Sequence, residues 1–408
     1  MGKIYKNAKQ ILTLQGAHQK NGRNLGAADL GLLEGVSVVC SEEQILWVGD
    51  DSKLPLEYSK FQTIDCSNLI MTPELVDCHT HMIFGGDRAN EYVRRLNGES
   101  YQEIAKEGGG ILYTMNETRK SSDQELYQLT KDRIKKHASL GVGTIEIKTG
   151  YGLSFDHEYR LSKILSQLRD EFHPKVQILR TFMAAHACPP EFKNSSLYLK
   201  DVVFPLMKKL KQEELIDIVD IFHEPGYFSR SETQEFFDEA KKLELSFKSH
   251  ADEFINDQGA RLAAESGALS TDHLLATDGE GIKALASSET VAVMLAGTGF
   301  FLVKDQANAR GFLDAGAKLA IASDYNPGSC HWSNLLQVAS MVAPHQNYRL
   351  NQAELWSAIT LNAAHALGLR KQGAIVKGLA PRFGFFKAAS LDHISYHWGE
   401  NFSLDILG

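Results

Sequence analysis

Eight short, apolar, β-prone runs recur along this chain, each ending near a polar or charged residue. They are residues 75–79 (LVDCH), 143–148 (GTIEIK), 176–185, 217–224, 245–250, 268–273, 290–295 and 317–324, and helix-like segments lie between many of them. Strands buried on both faces read as continuous apolar runs, and parallel neighbours need a crossover, usually a helix. Eight such units predict an α/β fold, a TIM-like parallel (β/α)8 barrel. An open doubly wound sheet competes, but no GxGxxG follows the first runs. Ser100-x-x-Glu103 and Ser122-x-x-Glu125 read as capping boxes, and Gly141 as a stop after the helix over 125–140.

The two ends differ from this middle. ILTLQ (11–15), VSVVC (36–40) and QILWVGD (44–50) read as strands, and the β texture returns after residue 371 with GAIVKG, RFGFFKA and HISYHW. The expected organisation is a small β domain built from both termini, residues 1–70 and 371–408, around a barrel over 71–370.

Composition narrows the function classes. The chain carries 43 Lys plus Arg against 51 Asp plus Glu, a net charge of −8, with no large basic cluster; a nucleic-acid surface is not expected. Five widely spaced cysteines without a CxxC pair indicate neither a disulfide framework nor a zinc knuckle, and fit a reducing compartment. The N-terminus lacks a signal-peptide core, and the longest uncharged stretch, Thr290 to Val303, is shorter than the roughly 18 residues of a spanning helix. The expectation is a cytoplasmic protein without a membrane partner.

His79 and His81 stand two apart at the end of the first run, so on a strand both imidazoles face one point. Alone, such a pair is a weak signal in a chain with 15 histidines. His250, His273 and Asp324 end the fifth, sixth and eighth runs. All five therefore fall at C-terminal strand ends, the face on which barrel active sites are built. Imidazoles with one carboxylate suit Zn or Fe, with a position left open for water.

Longer motifs then make the sequence familiar: PELVDCHTHMIFGGDR (73–88), EGGGILYTMNETR (107–119), TIEIKTGYGL (144–153), LRTFMAAHACPPE (179–191), SHADEF (249–254), GALSTDHL (267–274), ASDYNPGSC (322–330) and NAAHALGL (362–369). They resemble the amidohydrolase superfamily and, within it, the imidazolonepropionases of histidine degradation. The resemblance implies His79, His81, His250 and Asp324 as metal ligands for Zn or Fe. It implies Glu253 and His273, with Asp324, as the catalytic groups near the reacting water. Arg88, Tyr151, His186, Glu253, Asn326, Gly328 and Ser329 would contact substrate, and a homodimer is the assembly it suggests. Three departures stand out: Glu74 and Cys78 replace Gly and Pro, DIFHEPGYFS (220–229) replaces a CE-KGVFS-like segment, and KGLAPRFGFFKA replaces a GKDADLVI-like strand.

The residues agree with that chemistry. The implied substrate, 4-imidazolone-5-propanoate, has a cyclic amide that a metal-assisted water can open, giving N-formimidoyl-L-glutamate. His273 can relay a proton, and Arg88 can hold the propionate through a bidentate fork. Tyr151 sits between glycines. Asn326-Pro327-Gly328 is also a good turn, and Cys78 and Cys330 read as packing residues rather than nucleophiles. A heterocycle deaminase of the same superfamily and a non-catalytic scaffold are the rival readings. Ammonia release favours the first, and absence of bound metal the second. The fourth run ends in His223 and Glu224 without a lysine, while Lys148 and Lys248 lie on other runs. One metal ion per chain is therefore expected, with Glu224 not needed to retain it.

Overall fold

A computed structural model describes residues 2–406. Its centre is a sheet of eight parallel strands in strictly sequential order. They are β1 (Leu75–Asp77), β2 (Val142–Lys148), β3 (Gln177–Ala185), β4 (Ile218–His223), β5 (Ser246–Ala251), β6 (Ser270–His273), β7 (Val291–Met294) and β8 (Leu319–Ile321). Each coincides with one of the eight runs. β2 and β4 are buried along their whole length, as helices outside and side chains inside a barrel require.

The hoop is sealed at its C-terminal mouth. Ser323 donates its backbone N–H (3.0 Å) and its hydroxyl (2.6 Å) to the Asp77 carboxylate. The Asp324 N–H meets the His79 carbonyl at 3.0 Å, and the His81 N–H meets the Tyr325 carbonyl at 2.9 Å. Burial pushes Asp77 up to about 7, against the hydrogen bonds from Ser323.

The outer helices follow simple rules. Helix Arg230–Lys242 starts in a full capping box between Ser229 and Glu232 and buries Thr233, Phe236, Phe237 and Ala240, one stripe at helical spacing. The expected box at Ser100 and Glu103 forms in both directions (2.8 and 3.2 Å). At Ser122 only the Glu125 N–H to Ser122 hydroxyl bond is made, at 3.2 Å. Gly141 follows helix Asp123–Ser139 at φ 90°, where glycine alone is unstrained.

Two four-stranded sheets flank the barrel. One joins Lys3–Lys6, Val36–Cys40, Ile45–Asp50 and Gln62–Asp65; the other joins Gln10–Leu12, Leu32–Leu33, Ile70–Pro73 and Phe383–Phe386. Phe383–Phe386 runs antiparallel to Ile70–Pro73, with Phe383 opposite Pro73 and Phe386 opposite Ile70, so the two ends of the chain meet in one sheet. Three sequence expectations need correction here. ILTLQ is a strand only to Leu12; Leu14 is left-handed (φ 54°) and Gln15 begins a helix. GAIVKG forms no strand, yet Ile375 and Gly378 donate to the Thr13 and Ile45 carbonyls. The first four residues of HISYHW fall in helix Leu391–Tyr396, with His397 and Trp398 beyond its end: the aromatic and β-branched content reads as strand, but the helix's buried positions, Leu391 and Ile394, are three apart. Among the described residues no helix is long and apolar enough to cross a membrane.

His137, on the inner face of helix Asp123–Ser139, is buried; its Nδ1–H donates to the Arg133 carbonyl at 2.9 Å. Burial pushes it down to about 4. The unfolded chain takes up this proton below about 6.5 and the folded chain does not, so the contribution to stability is full above 6.5 and is lost as pH falls towards 4. Urea midpoints between pH 7.5 and 5 are expected to fall less steeply for His137→Gln than for the parent. Parallel curves would refute the assignment.

Candidate active site

The strand ends bring three imidazoles to one point. His79 and His81 follow β1, and His250 lies in β5. The Nε2 atoms of His79 and His81 are 3.2 Å apart, and those of His250 and His81 are 3.3 Å apart. Nδ1 of His79 meets Asp272 at 2.6 Å and Nδ1 of His250 meets Asp220 at 3.3 Å. Those carboxylates place the ring protons on Nδ1, leaving each Nε2 as a bare lone pair. Asp324 Oδ1 stands 3.5 Å from His79 Nε2 and 3.7 Å from His81 Nε2, while its other oxygen accepts from the Thr298 hydroxyl.

Electrostatics fit the same arrangement. Burial, then the charges of Lys148 and the neighbouring imidazoles, hold His79 well below its usual range; burial and His186 do the same for His81. Burial pushes Asp324 up to about 6. Lone pairs that converge without protons, beside a carboxylate that burial makes costly to ionise, form a pocket lacking one positive charge. This donor set fits a metal ion, and His79, His81 and His250 could hold it.

Beneath the histidines lies a fully buried charge network. Lys148 Nζ bonds Glu146 (2.9 Å) and Asp220 (2.7 Å); Lys248 Nζ bonds Glu146 (2.8 Å), the Cys78 carbonyl (2.7 Å) and, at 3.2 Å, Asp272. Burial opposes ionisation of Asp220, but Lys148 and His250 beside it hold its carboxyl well below the usual carboxylate range. Both lysines are therefore committed to this layer.

Above the histidines opens a small cavity of about 50 Å³. His81, Arg88, Tyr151, His186, His250, Glu253, His273, Asp324, Asn326 and Ser329 all line it, with Ile111, Phe222, Tyr227, Phe254 and Leu302. His79 sits behind His81. Arg88 is nearly buried, and its Nε and one terminal nitrogen reach the Glu91 carboxylate at 2.8 and 2.7 Å. Glu91 also accepts from the Gly110 N–H at 2.9 Å, tying the EGGG segment to the arginine. Gly328 does not line the cavity. A Cβ there would fall 1.9 Å from an Arg88 nitrogen, so its bare Cα makes room for the guanidinium.

Tyr151 rides on a loop held by Glu158, which accepts from the N–H groups of Gly152 (2.6 Å), Leu153 (2.9 Å) and Gly150 (3.2 Å). His186 donates from Nδ1 to the Gly150 carbonyl at 3.2 Å and stacks on His81 with centroids 5.0 Å apart; burial pushes it down to about 3. Asn326 is spent largely on its own turn, accepting from the Gly328 and Ser329 N–H groups at 2.8 Å each. Glu253 Oε2 lies 3.6 Å from His273 Nε2, and its other oxygen lies 3.8 Å from Lys304 Nζ. Burial pushes Glu253 up to about 8, opposed by Lys304, and keeps His273 well below its usual range. His273 (φ 82°) and Asp324 (φ 50°) both have left-handed backbones, strain of the kind that collects at functional sites. Cys78 and Cys330 are buried, which pushes both thiols up and leaves them packing.

A model of the amidohydrolase family matches residues 70–398. The chain belongs to the amidohydrolase family. It is 39% identical over 373 residues to an imidazolonepropionase of Idiomarina loihiensis, covering 91% of this chain and 90% of that one. An imidazolonepropionase of Brucella suis biovar 1 is 40% identical over 348 residues, 85% of each chain. Among solved structures, a mutant atrazine chlorohydrolase from Arthrobacter aurescens, complexed with zinc and atraton, superposes with a TM-score of 0.72 at 13% identity, over 98% of this chain and 92% of that one. That likeness concerns the fold.

Sequence reasoning missed several parts of this amidohydrolase site. Asp220 and Asp272, which orient two histidines, were not singled out, nor were Glu146, Thr298 and Lys304. A partial signal was present: Glu146 and Lys148, Lys248 and His250, and Ser270 and Asp272 are polar pairs two apart within single strands, and so share one face. His250→Ala is expected to lose most bound metal while keeping its far-ultraviolet circular dichroism. Elemental analysis is the check, and an active, metal-replete variant would overturn the ligand set.

Proposed function

We propose that the protein hydrolyses the cyclic amide of 4-imidazolone-5-propanoate to N-formimidoyl-L-glutamate, with one Zn or Fe ion per chain held by His79, His81, His250 and Asp324. The observation that carries this reading is the pairing, in one cavity, of the histidine cluster with a buried arginine, in a chain whose imidazolonepropionase relatives match it nearly end to end. When bound, the ion supplies Lewis acidity and a water whose pKa falls to about 7.

The remaining work belongs to the side chains. Arg88, fixed by Glu91, holds the propionate by charge-assisted hydrogen bonds and so sets the ring against the histidines. Tyr151 and His186 form the wall beside His81. His273 is a neutral imidazole whose Nδ1 has no hydrogen-bond partner among the described residues. It takes a proton from the attacking water as the C–O bond forms at the ring carbonyl. It returns that proton to the ring nitrogen as the C–N bond breaks, and the acid so formed ionises. Glu253, beside His273, holds the water or a ring N–H.

A single ion is supported by the side chains that a second would need. Lys148 and Lys248 lie in the buried layer, and both Glu224 oxygens accept backbone N–H groups, from Glu253 at 3.0 Å and Ile255 at 2.8 Å. Elemental analysis finding two equivalents per subunit would overturn that count.

Loss of the substrate's ultraviolet absorbance is the direct assay. Arg88→Ala is expected to raise KM for the carboxylate-bearing substrate, with Arg88→Lys recovering only part, because an ammonium cannot make the planar fork. Unchanged KM in both would place the propionate elsewhere. His273→Ala should keep its metal and lose on the order of 10²- to 10⁴-fold in turnover. Metal loss in that variant would make His273 a ligand instead.

A further inference from the structure

Glu224 follows β4 at a sharp reversal. Pro225 and Gly226 form the corner, with Gly226 at φ 95° and the Tyr227 N–H bonded to the Glu224 carbonyl at 2.9 Å. The reversal packs Tyr227 against Phe222, with centroids 4.2 Å apart and the rings tilted by 42°, and both rings line the cavity. The Glu224 carboxylate reaches the loop after β5. Its two oxygens accept the N–H groups of Glu253 (3.0 Å) and Ile255 (2.8 Å), which flank Phe254. Asp252, left-handed at φ 52°, anchors the other side of that loop. Its carboxylate accepts from the Gly259 N–H at 3.0 Å and the Thr277 hydroxyl at 2.8 Å.

We infer that Glu224 is a positioning residue for Glu253, acting through the backbone N–H groups of the loop that carries it. The inference rests on the role given to Glu253 above and adds the device that aims it. Glu224 is buried and both its oxygens are occupied, so its carboxylate serves the loop and not a second ion. The Glu253 side chain projects from the segment so held, with Oε2 3.6 Å from His273 Nε2. Replacing one carboxylate oxygen by an amide NH2, as in Glu224→Gln, sets a donor against one of the two loop N–H groups, and the loop shifts to relieve the mismatch. A displacement of about 1 Å at a reacting group can cost up to 10²-fold in rate, while contacts made by Arg88 on another loop are untouched.

The test uses the metal-loaded full chain and three variants: Glu224→Gln, Glu253→Gln and the double substitution. In Glu224→Gln, kcat is expected to fall roughly 10- to 100-fold, with KM within about twofold of the parent and the metal content unchanged. In the Glu253→Gln background the same change should cost little more, because the group being aimed is gone. A general weakening of the barrel would instead lower activity in both backgrounds alike. Additive losses, an unchanged kcat or a loss of metal in Glu224→Gln would each overturn the inference. Amide hydrogen exchange gives a readout independent of turnover: the 253 and 255 amides should exchange slowly in the parent and faster in Glu224→Gln. Should Glu224→Gln fold poorly, Glu224→Asp, which keeps the charge on a shorter arm, carries the same expectation at smaller amplitude. A parent that leaves 4-imidazolone-5-propanoate unchanged defeats the proposed function, and the exchange measurement alone then decides the positioning claim.

Discussion

The structure depends on a set of charges placed where water cannot reach them. Glu146, Lys148, Asp220, Lys248 and Asp272 are wholly buried in the barrel interior and satisfy one another across β2, β4, β5 and β6. Removing one member of such a set strands its partner's charge, at a cost of roughly 3–5 kcal/mol. The layer tolerates being built only because the hoop closes around it and these four strands stand in register. It also looks upward: Asp220 and Asp272 fix the ring orientation of His250 and His79, so the floor that holds the barrel together is also what aims the donor atoms.

Much of this was legible in the chain, for a physical reason. Parallel strands buried on both faces have to be apolar throughout, and that pattern survives in the sequence without knowledge of partners. Chemistry at strand ends is legible too, since the barrel permits it on one face only, and His79, His81, His250, His273 and Asp324 stand out there. What was hidden falls into three kinds. Interior charges such as Asp220 and Asp272 carry little signal of their partners: Asp220 has apolar Ile218 and Phe222 two positions away on either side, and Asp272 lies in an all-polar strand. The segment HISYHW has strand-like residues but helical spacing, and local composition outweighed period in reading it.

The third hidden kind is the carboxylate that serves backbone. Glu158 gathers N–H groups of the loop at 150–153, Glu91 takes that of Gly110, and Glu224 reaches 253 and 255. Their partners carry no side-chain signature, because every residue but proline has an N–H. A buried glutamate in such a role looks in sequence like an ordinary charge at a helix start, as at Glu91 and Glu158, or after a strand, as at Glu224. Around this cavity the pattern recurs: acceptors on rigid elements fix the loops, and the loops carry the groups facing the cavity.

The seam of the barrel has one more implication. The first and last strands are joined at the mouth, through Asp77 with Ser323 and through the backbones of His79, His81, Asp324 and Tyr325. The residues that fasten the cylinder are thus interleaved, along a few positions of each strand, with those that face the cavity. Durability and reactivity cannot be adjusted independently there. A change that relaxes the joint also moves the donors, and a change that retunes the donors loads the joint. Adaptation in this molecule has its freedom in the outer helices and the flanking sheets, and almost none along that line.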